Sequence, residues 1–154
     1  DELGTTFNNT LVEWQENPNF SFYSANDMRA PIASGTYPAK AMVVVPASMN
    51  TIASIAHGIT SHLVHRAADV CLKERRRLVL VPRETPLNSN HLENMLTLSR
   101  MGVVVLPPEP AFYLKPQSVD DIVRFVVSRI MVALDLDESL PEEFRYDEKE
   151  DSHL

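Results

Sequence analysis

The chain has 154 residues, of which 44% are apolar and 23% charged, the proportions of a single globular domain large enough to bury a core. Its formal net charge of −7 has the wrong sign for general attraction to nucleic acid, and no apolar run approaches the ~20 residues of a membrane span. One cysteine, Cys71, excludes an internal disulfide and suits a reducing, cytoplasmic setting.

Residues 1–38 read as an irregular N-terminal part, with a short helix over Thr5–Trp14 and a short edge strand in "NFSFYS". Residues 39–135 read as an α/β core. "AMVVVP" (Ala41–Pro46) is a β-branched run without alternation, which predicts a strand buried on both faces. A long helical pattern follows, from about Thr51 to Glu74, with Ser48, Asn50 and Thr51 as candidate N-caps and Gly58 and Arg66 as candidate breaks. "RLVLVP" (Arg77–Pro82) is the next buried strand and "RETPLNSN" a loop. "HLENMLTLSRMG" predicts a helix closing on Gly102. "VVVLPPEPAF" predicts a third strand running into a proline-rich loop. "SVDDIVRFVVSRIMVALDL" is amphipathic, and Ser118 and Asp121 stand in capping-box spacing. Residues 136–154 form an acidic, proline-interrupted tail, expected to pack on a neighbour or to be partly disordered.

Strands alternating with helices imply a parallel sheet covered on both faces, and such sheets bind ligands at the carboxyl ends of their strands. That rule selects three loops: "PASMNT", "PRETPLNSN" and "PPEPAFYLKPQS". In the first, hydroxyls and amides at a helix N-terminus serve either as simple caps or as a cradle for a phosphate or the polar edge of a ring. It is not a P-loop, because it lacks both the glycines and the lysine. In the second, Arg83 and Glu84 are either a surface ion pair or an anion-binding cation beside an acid–base group. Tyr113, Lys115, Lys73 and Arg129 are candidates to join Arg83 around one phosphate. Arg75, Arg76 and Arg77 read as solvated or oligomer-contacting. Cys71 reads as a buried structural thiol. His57, His62 and His65 share one helical stretch, but no carboxylate or cysteine completes a zinc set, so no metal site is expected.

The strings "VVPASMNTIASIAHG", "RAADVCLKERRRLVLVPRETPL" and "MGVVVLPPEPAFYLKPQSVDDIV" resemble the flavin prenyltransferases of the UbiX type, from about Ala33 to Arg129. A related group of homo-oligomeric flavoproteins that includes cysteine decarboxylases shares the "PAS-N-T" loop but not the "LKERR…RETP" block. The resemblance implies a Rossmann-like (flavodoxin-like) three-layer sandwich with a parallel sheet that binds FMN. It implies transfer of a dimethylallyl group from dimethylallyl monophosphate to N5 and C6 of reduced FMN without a metal, the prenylated FMN then serving a UbiD-type decarboxylase. It also implies a homo-oligomer, commonly a dodecamer, with sites assembled between subunits.

By the same resemblance Lys73, Arg83, Tyr113 and Arg129 match the prenyl-phosphate contacts, and Glu84 matches the acid that protonates the departing phosphate. Ser48, Met49 and Thr51 match the FMN-binding loop, and Arg66 a flavin-side arginine. Phosphate neutralised by side chains rather than by Mg²⁺ would account for a basic cluster in an acidic protein. The alternatives are an FMN-dependent, cysteine-decarboxylase-like flavoprotein or a flavin-binding subunit without catalysis. Family members open with a strand and a glycine- and serine-rich loop that holds flavin and supplies a serine near N5; a glutamate further along aids proton transfer. With four glycines and no such loop after Asp1, the sequence is expected to lack its first β-loop-α unit.

Overall fold

The computed structural model describes residues 7–145, in which the elements run α1 (Phe7–Glu16), β1 (Ala41–Ala47), α2 (Met49–Ala56), α3 (Leu63–Lys73), β2 (Arg77–Pro82), α4 (Ser89–Arg100), β3 (Val104–Val105) and α5 (Val119–Ala133). The three strands form one parallel sheet in the order β1-β2-β3. Side chains alternate along β2, so Leu78 and Leu80 face one way and Val79 and Val81 the other. Leu78 and Leu80 join Ile52, Ile55, Ala68, Cys71 and Leu98 in a core beneath α2, α3 and α4. Val79 and Val81 join Ile130 and Leu134 of the α5 region on the opposite face. The result is the helix–sheet–helix sandwich of the flavodoxin-like class.

Only β2 is buried on both faces as expected. β1 stands at the edge of the sheet, its residues are mostly half-buried, and Val45 is 56% exposed. Among the described residues, β1 has a paired neighbour on one side only. Its ladder with β2 also shifts register between Val44 and Ala47, where Pro46 has no N–H to donate. β3 is shorter than its apolar string. Leu106 still donates to the Leu80 carbonyl at 2.8 Å, after which Pro107 and Pro108 end the ladder.

The long helical pattern does break, but not at Arg66. Ile59 N–H returns to the Ser54 carbonyl at 2.8 Å, Gly58 takes φ +68°, and α3 starts only at Leu63 with Arg66 inside it. "NFSFYS" is not a strand. Phe20 stacks on Trp14 (5.7 Å, 6°) and Phe22 on Phe20 (6.3 Å, 21°), so ring stacking takes up these aromatics, and no partner strand lies alongside among the described residues. The expected helix over Thr5–Trp14 is seen as Phe7–Glu16, and residues 5–6 lie outside the described part.

α4 starts two residues before its predicted start, capped by Asn88, whose Oδ1 accepts from His91 N–H at 3.0 Å. α5 has the expected capping box. Ser118 Oγ accepts from Asp121 N–H at 3.2 Å, while the Asp121 carboxylate accepts from Ser118 N–H at 2.9 Å. Through Arg145 the acidic tail touches α5 of its own chain: Arg124 pairs with Glu143 at 2.7 Å and Phe125 meets Phe144 edge-on at 5.6 Å. The rest of the tail lies outside the described residues. Among the described residues no helix is long and apolar enough to cross a membrane.

Candidate functional site

The parallel sheet sends β1, β2 and β3 in one direction, so the loops after them gather at one end. After β1, Ser48 caps α2: its Oγ accepts from Thr51 N–H at 3.2 Å and lies 3.0 Å from Thr51 Oγ1. The first-turn N–H groups of Met49 and Asn50 have no intrahelical acceptor there. Ser48 and Asn50 are exposed, whereas Met49 is 8% exposed and its side chain belongs to the core. Met49 can therefore serve a ligand only through its backbone. Beside this turn, between α2 and α4, lies a polar groove of about 490 Å³ whose walls include Asn50, His57, Asn88, His91 and Asn94.

After β2 the chain turns outward at Arg83 and Glu84, both exposed. A cavity of about 420 Å³ opens between Pro82–Thr85 and Pro107–Glu109, the loops that follow β2 and β3. Glu84 Oε1 accepts from the Thr85 N–H at 3.1 Å, and neither Arg83 nor Glu84 has an ion-pair partner among the described residues. Tyr113, 72% exposed, sits on the 3-10 turn Phe112–Leu114 at the same end of the sheet, and Lys115 closes that turn with φ +52°. Arg129 is exposed on the second half of α5, likewise without an acidic partner among the described residues.

Lys73 does not join them. It ends α3 and lies a short turn before Arg77, at the amino end of β2, whereas Arg83 follows its carboxyl end. Six residues of strand separate the two ends by about 20 Å. Within one chain Lys73 instead pairs with Glu74, whose carboxyl is held below its usual range by the Lys73 hydrogen bond and charge and, less strongly, by Arg76. Arg66 is likewise engaged: Nε donates to the Ala33 carbonyl at 3.1 Å, and one terminal nitrogen pairs with Asp69 at 2.9 Å.

Two of the three arginines expected to face solvent or a neighbouring copy are tied within the chain. Arg76 donates to the Gly35 carbonyl at 2.5 Å, and Arg77 donates to the Ala133 carbonyl at 3.3 Å and pairs with Asp135. Arg75 is exposed in the left-handed region at φ +54°. The Ser34–Gly35–Thr36 turn escaped the sequence reading, although a glycine between two hydroxyl residues was a visible turn signal. Cys71 is buried, which pushes its thiol up against the opposing pull of Arg76. Among the described residues no group of three or more His, Cys, Asp or Glu converges as a metal set.

Residues 9–131 match the family described as Flavoprotein. The chain is 48% identical over 131 residues to "Flavin prenyltransferase UbiX" of Methanocaldococcus jannaschii, which covers 84% of this chain and 71% of that protein. The chain belongs to the UbiX-type flavoprotein family. It is 50% identical over 133 residues to the UbiX flavin prenyltransferase of Halalkalibacterium halodurans, which covers 86% of this chain and 64% of that relative's length. Among solved structures it is similar to AnUbiX in complex with FMN and dimethylallyl pyrophosphate, with TM-score 0.76, 49% identity, and coverage of 81% of this chain and 65% of that one. It is also similar to a dodecameric FMN-dependent UbiX-like decarboxylase from Escherichia coli O157:H7, with TM-score 0.78, 47% identity, and coverage of 90% and 78%.

Proposed function

We propose that the protein is a flavin prenyltransferase that moves a dimethylallyl group from dimethylallyl monophosphate to N5 and C6 of reduced FMN. The observation that carries this function is identity of 48% and 50% to two proteins named flavin prenyltransferase, over matches that take in more than four-fifths of the chain. A structure bound to FMN and dimethylallyl pyrophosphate, 49% identical, supports the same substrate classes.

The residues of the α2 turn suit a flavin. Exposed Ser48 and Asn50 and the outward N–H groups of the first turn offer donors to an anion or to a polar ring edge, with Thr51 and Arg66 as further partners. Bound reduced FMN supplies the nucleophile that takes the dimethylallyl group. The chain's task is then to hold the phosphate ester and let the phosphate leave. Arg83, Tyr113, Arg129 and Lys73 spread its negative charge over fixed donors and make a metal ion unnecessary. Glu84, without an ion-pair partner among the described residues, gives a proton to the departing phosphate oxygen as the carbon–oxygen bond breaks.

Because Lys73 and Arg83 stand at opposite ends of β2, a phosphate held by both lies between two copies of the chain. A homo-oligomer with shared sites follows, and a relative described as dodecameric agrees with it. The prenylated FMN would pass to a UbiD-type decarboxylase in the cytoplasm.

The test is to incubate the protein with reduced FMN and dimethylallyl monophosphate, with and without a chelator, and to record the mass of the released flavin. One added dimethylallyl unit in both arms is expected. Unmodified FMN recovered from folded, FMN-bound protein would sink the proposal, and product lost only with chelator would sink metal independence.

A further inference from the structure

We propose that the Ser34–Gly35–Thr36 turn and Glu74 form a seat that holds the Lys73 ammonium ready for a phosphate monoester. This deepens the prenyltransferase function proposed above and rests on it.

The observation that carries it is the space over Gly35. A methyl group added at its α-carbon would overlap Lys73 Nζ and Glu74 Oε1 and come within 3.2 Å of Glu74 Cδ. The absent side chain is therefore the room in which the Lys73–Glu74 pair sits. The turn beneath is fixed from two sides: Arg76 donates to the Gly35 carbonyl at 2.5 Å, and Arg66 donates to the Ala33 carbonyl at 3.1 Å. Ser34 Oγ and Thr36 Oγ1 share a hydrogen bond of 2.8 Å, and Thr36 N–H donates to Ser34 Oγ at 3.3 Å, so the turn is closed on itself.

An ammonium has three donors, and Glu74 takes the one Lys73 hydrogen bond found among the described residues, leaving two for phosphate oxygens. A free lysine loses much rotamer freedom when it grips an anion, and prior seating removes part of that cost. Glu74 does not cancel the attraction, because Arg76 flanks it and Lys73 with Arg76 leaves the cluster net positive. Gly35 and Glu74 are thus positioning residues that act through Lys73.

Gly35→Ala tests this directly. The backbone there is not left-handed, and the added methyl meets only the far ends of two flexible side chains, so the turn itself need not move. The KM for dimethylallyl monophosphate and the inhibition constant of inorganic phosphate are expected to rise about tenfold, the size of one charge-assisted contact. The kcat at saturation should stay within about twofold and FMN affinity should hold. Glu74→Ala should act in the same direction and decides the matter if Gly35→Ala does not fold. Gly35→Ala placed in Lys73→Met should add nothing.

Unchanged KM and phosphate inhibition in both single variants would overturn the seat. So would full additivity in the double variant, or a parallel fall in FMN affinity. Inorganic phosphate binding by calorimetry separates the two proposals: weaker binding in Gly35→Ala upholds the seat even if the wild type makes no prenylated flavin.

Discussion

β1 and β2 carry almost the same string, Met42-Val43-Val44-Val45-Pro46 and Leu78-Val79-Leu80-Val81-Pro82, and they pair side by side in parallel. Yet Val79 and Leu80 are fully buried while Val45 is 56% exposed. The difference lies in what flanks each strand, since β2 has β1 and β3 at its edges and helices above and below. An apolar run announces a strand; only its neighbours decide what burial is worth. The loops diverge in the same way. The one after β1 turns at once into a capped helix, while the one after β2 leaves Arg83 and Glu84 without ion-pair partners among the described residues.

The largest contrast should come from truncating the two strands. Leu80→Ala removes a fully buried side chain between two helical layers and is expected to cost about 2–5 kcal/mol, read as a lower denaturant midpoint. Val45→Ala on the edge should cost under about 0.5 kcal/mol. Equal losses would show that the edge of β1 is covered in solution.

A second contrast concerns chemistry past the strand ends. Glu84→Gln should slow product formation by about 10²-fold with FMN affinity retained, measured by single-turnover flavin mass. Ser48→Ala should instead weaken FMN binding and lower stability by about 1 kcal/mol through loss of the cap. Unchanged turnover in Glu84→Gln would remove its acid role.

The smallest effect is a pH dependence. His65 is 1% exposed on α3, its Nδ1 lies 3.0 Å from Ser61 Oγ, and its Nε2 has no partner among the described residues. Burial, and then the nearby His62, lowers its pKa from 6.5, so the folded chain resists taking up that proton. The stability contribution is complete above pH 6.5 and is lost as pH falls from there toward the lowered folded-state value. His65→Leu should flatten the stability profile between pH 7 and pH 5 without changing FMN affinity at pH 7. An identical slope in the variant would assign the proton to another group.

Much of the fold was legible because it rests on local chemistry. The runs at 41–46 and 77–82, the Gly58 break and the Ser118–Asp121 box are signals contained within a few residues. What was not legible depended on partners. The exposure of β1, the shortness of β3 and the fate of "NFSFYS" are set by which chains lie alongside, and Trp14 competes with any strand for Phe20. At the candidate site, position after a strand is what singles out Arg83, Glu84 and Tyr113 in the sequence, and the structure leaves all three exposed. That position does not single out Lys73, which within one chain lies at the other end of β2, because the chain folds its helix down and its strand back up. Nothing in "ERRR" reveals that Arg76 and Arg77 also reach the carbonyls of Gly35 and Ala133, although Arg77 remains exposed as expected.

The buried thiol of Cys71 has a practical use. It is the chain's one cysteine, and burial holds its proton, so it offers little thiolate to an alkylating dye. A second cysteine placed on the surface would be labelled almost alone. At Glu142→Cys, next to Glu143 and Phe144 in the cavity wall shared with Leu114 and Lys115, a fluorophore would sit beside the Tyr113 turn and report on that loop as phosphate ligands are titrated.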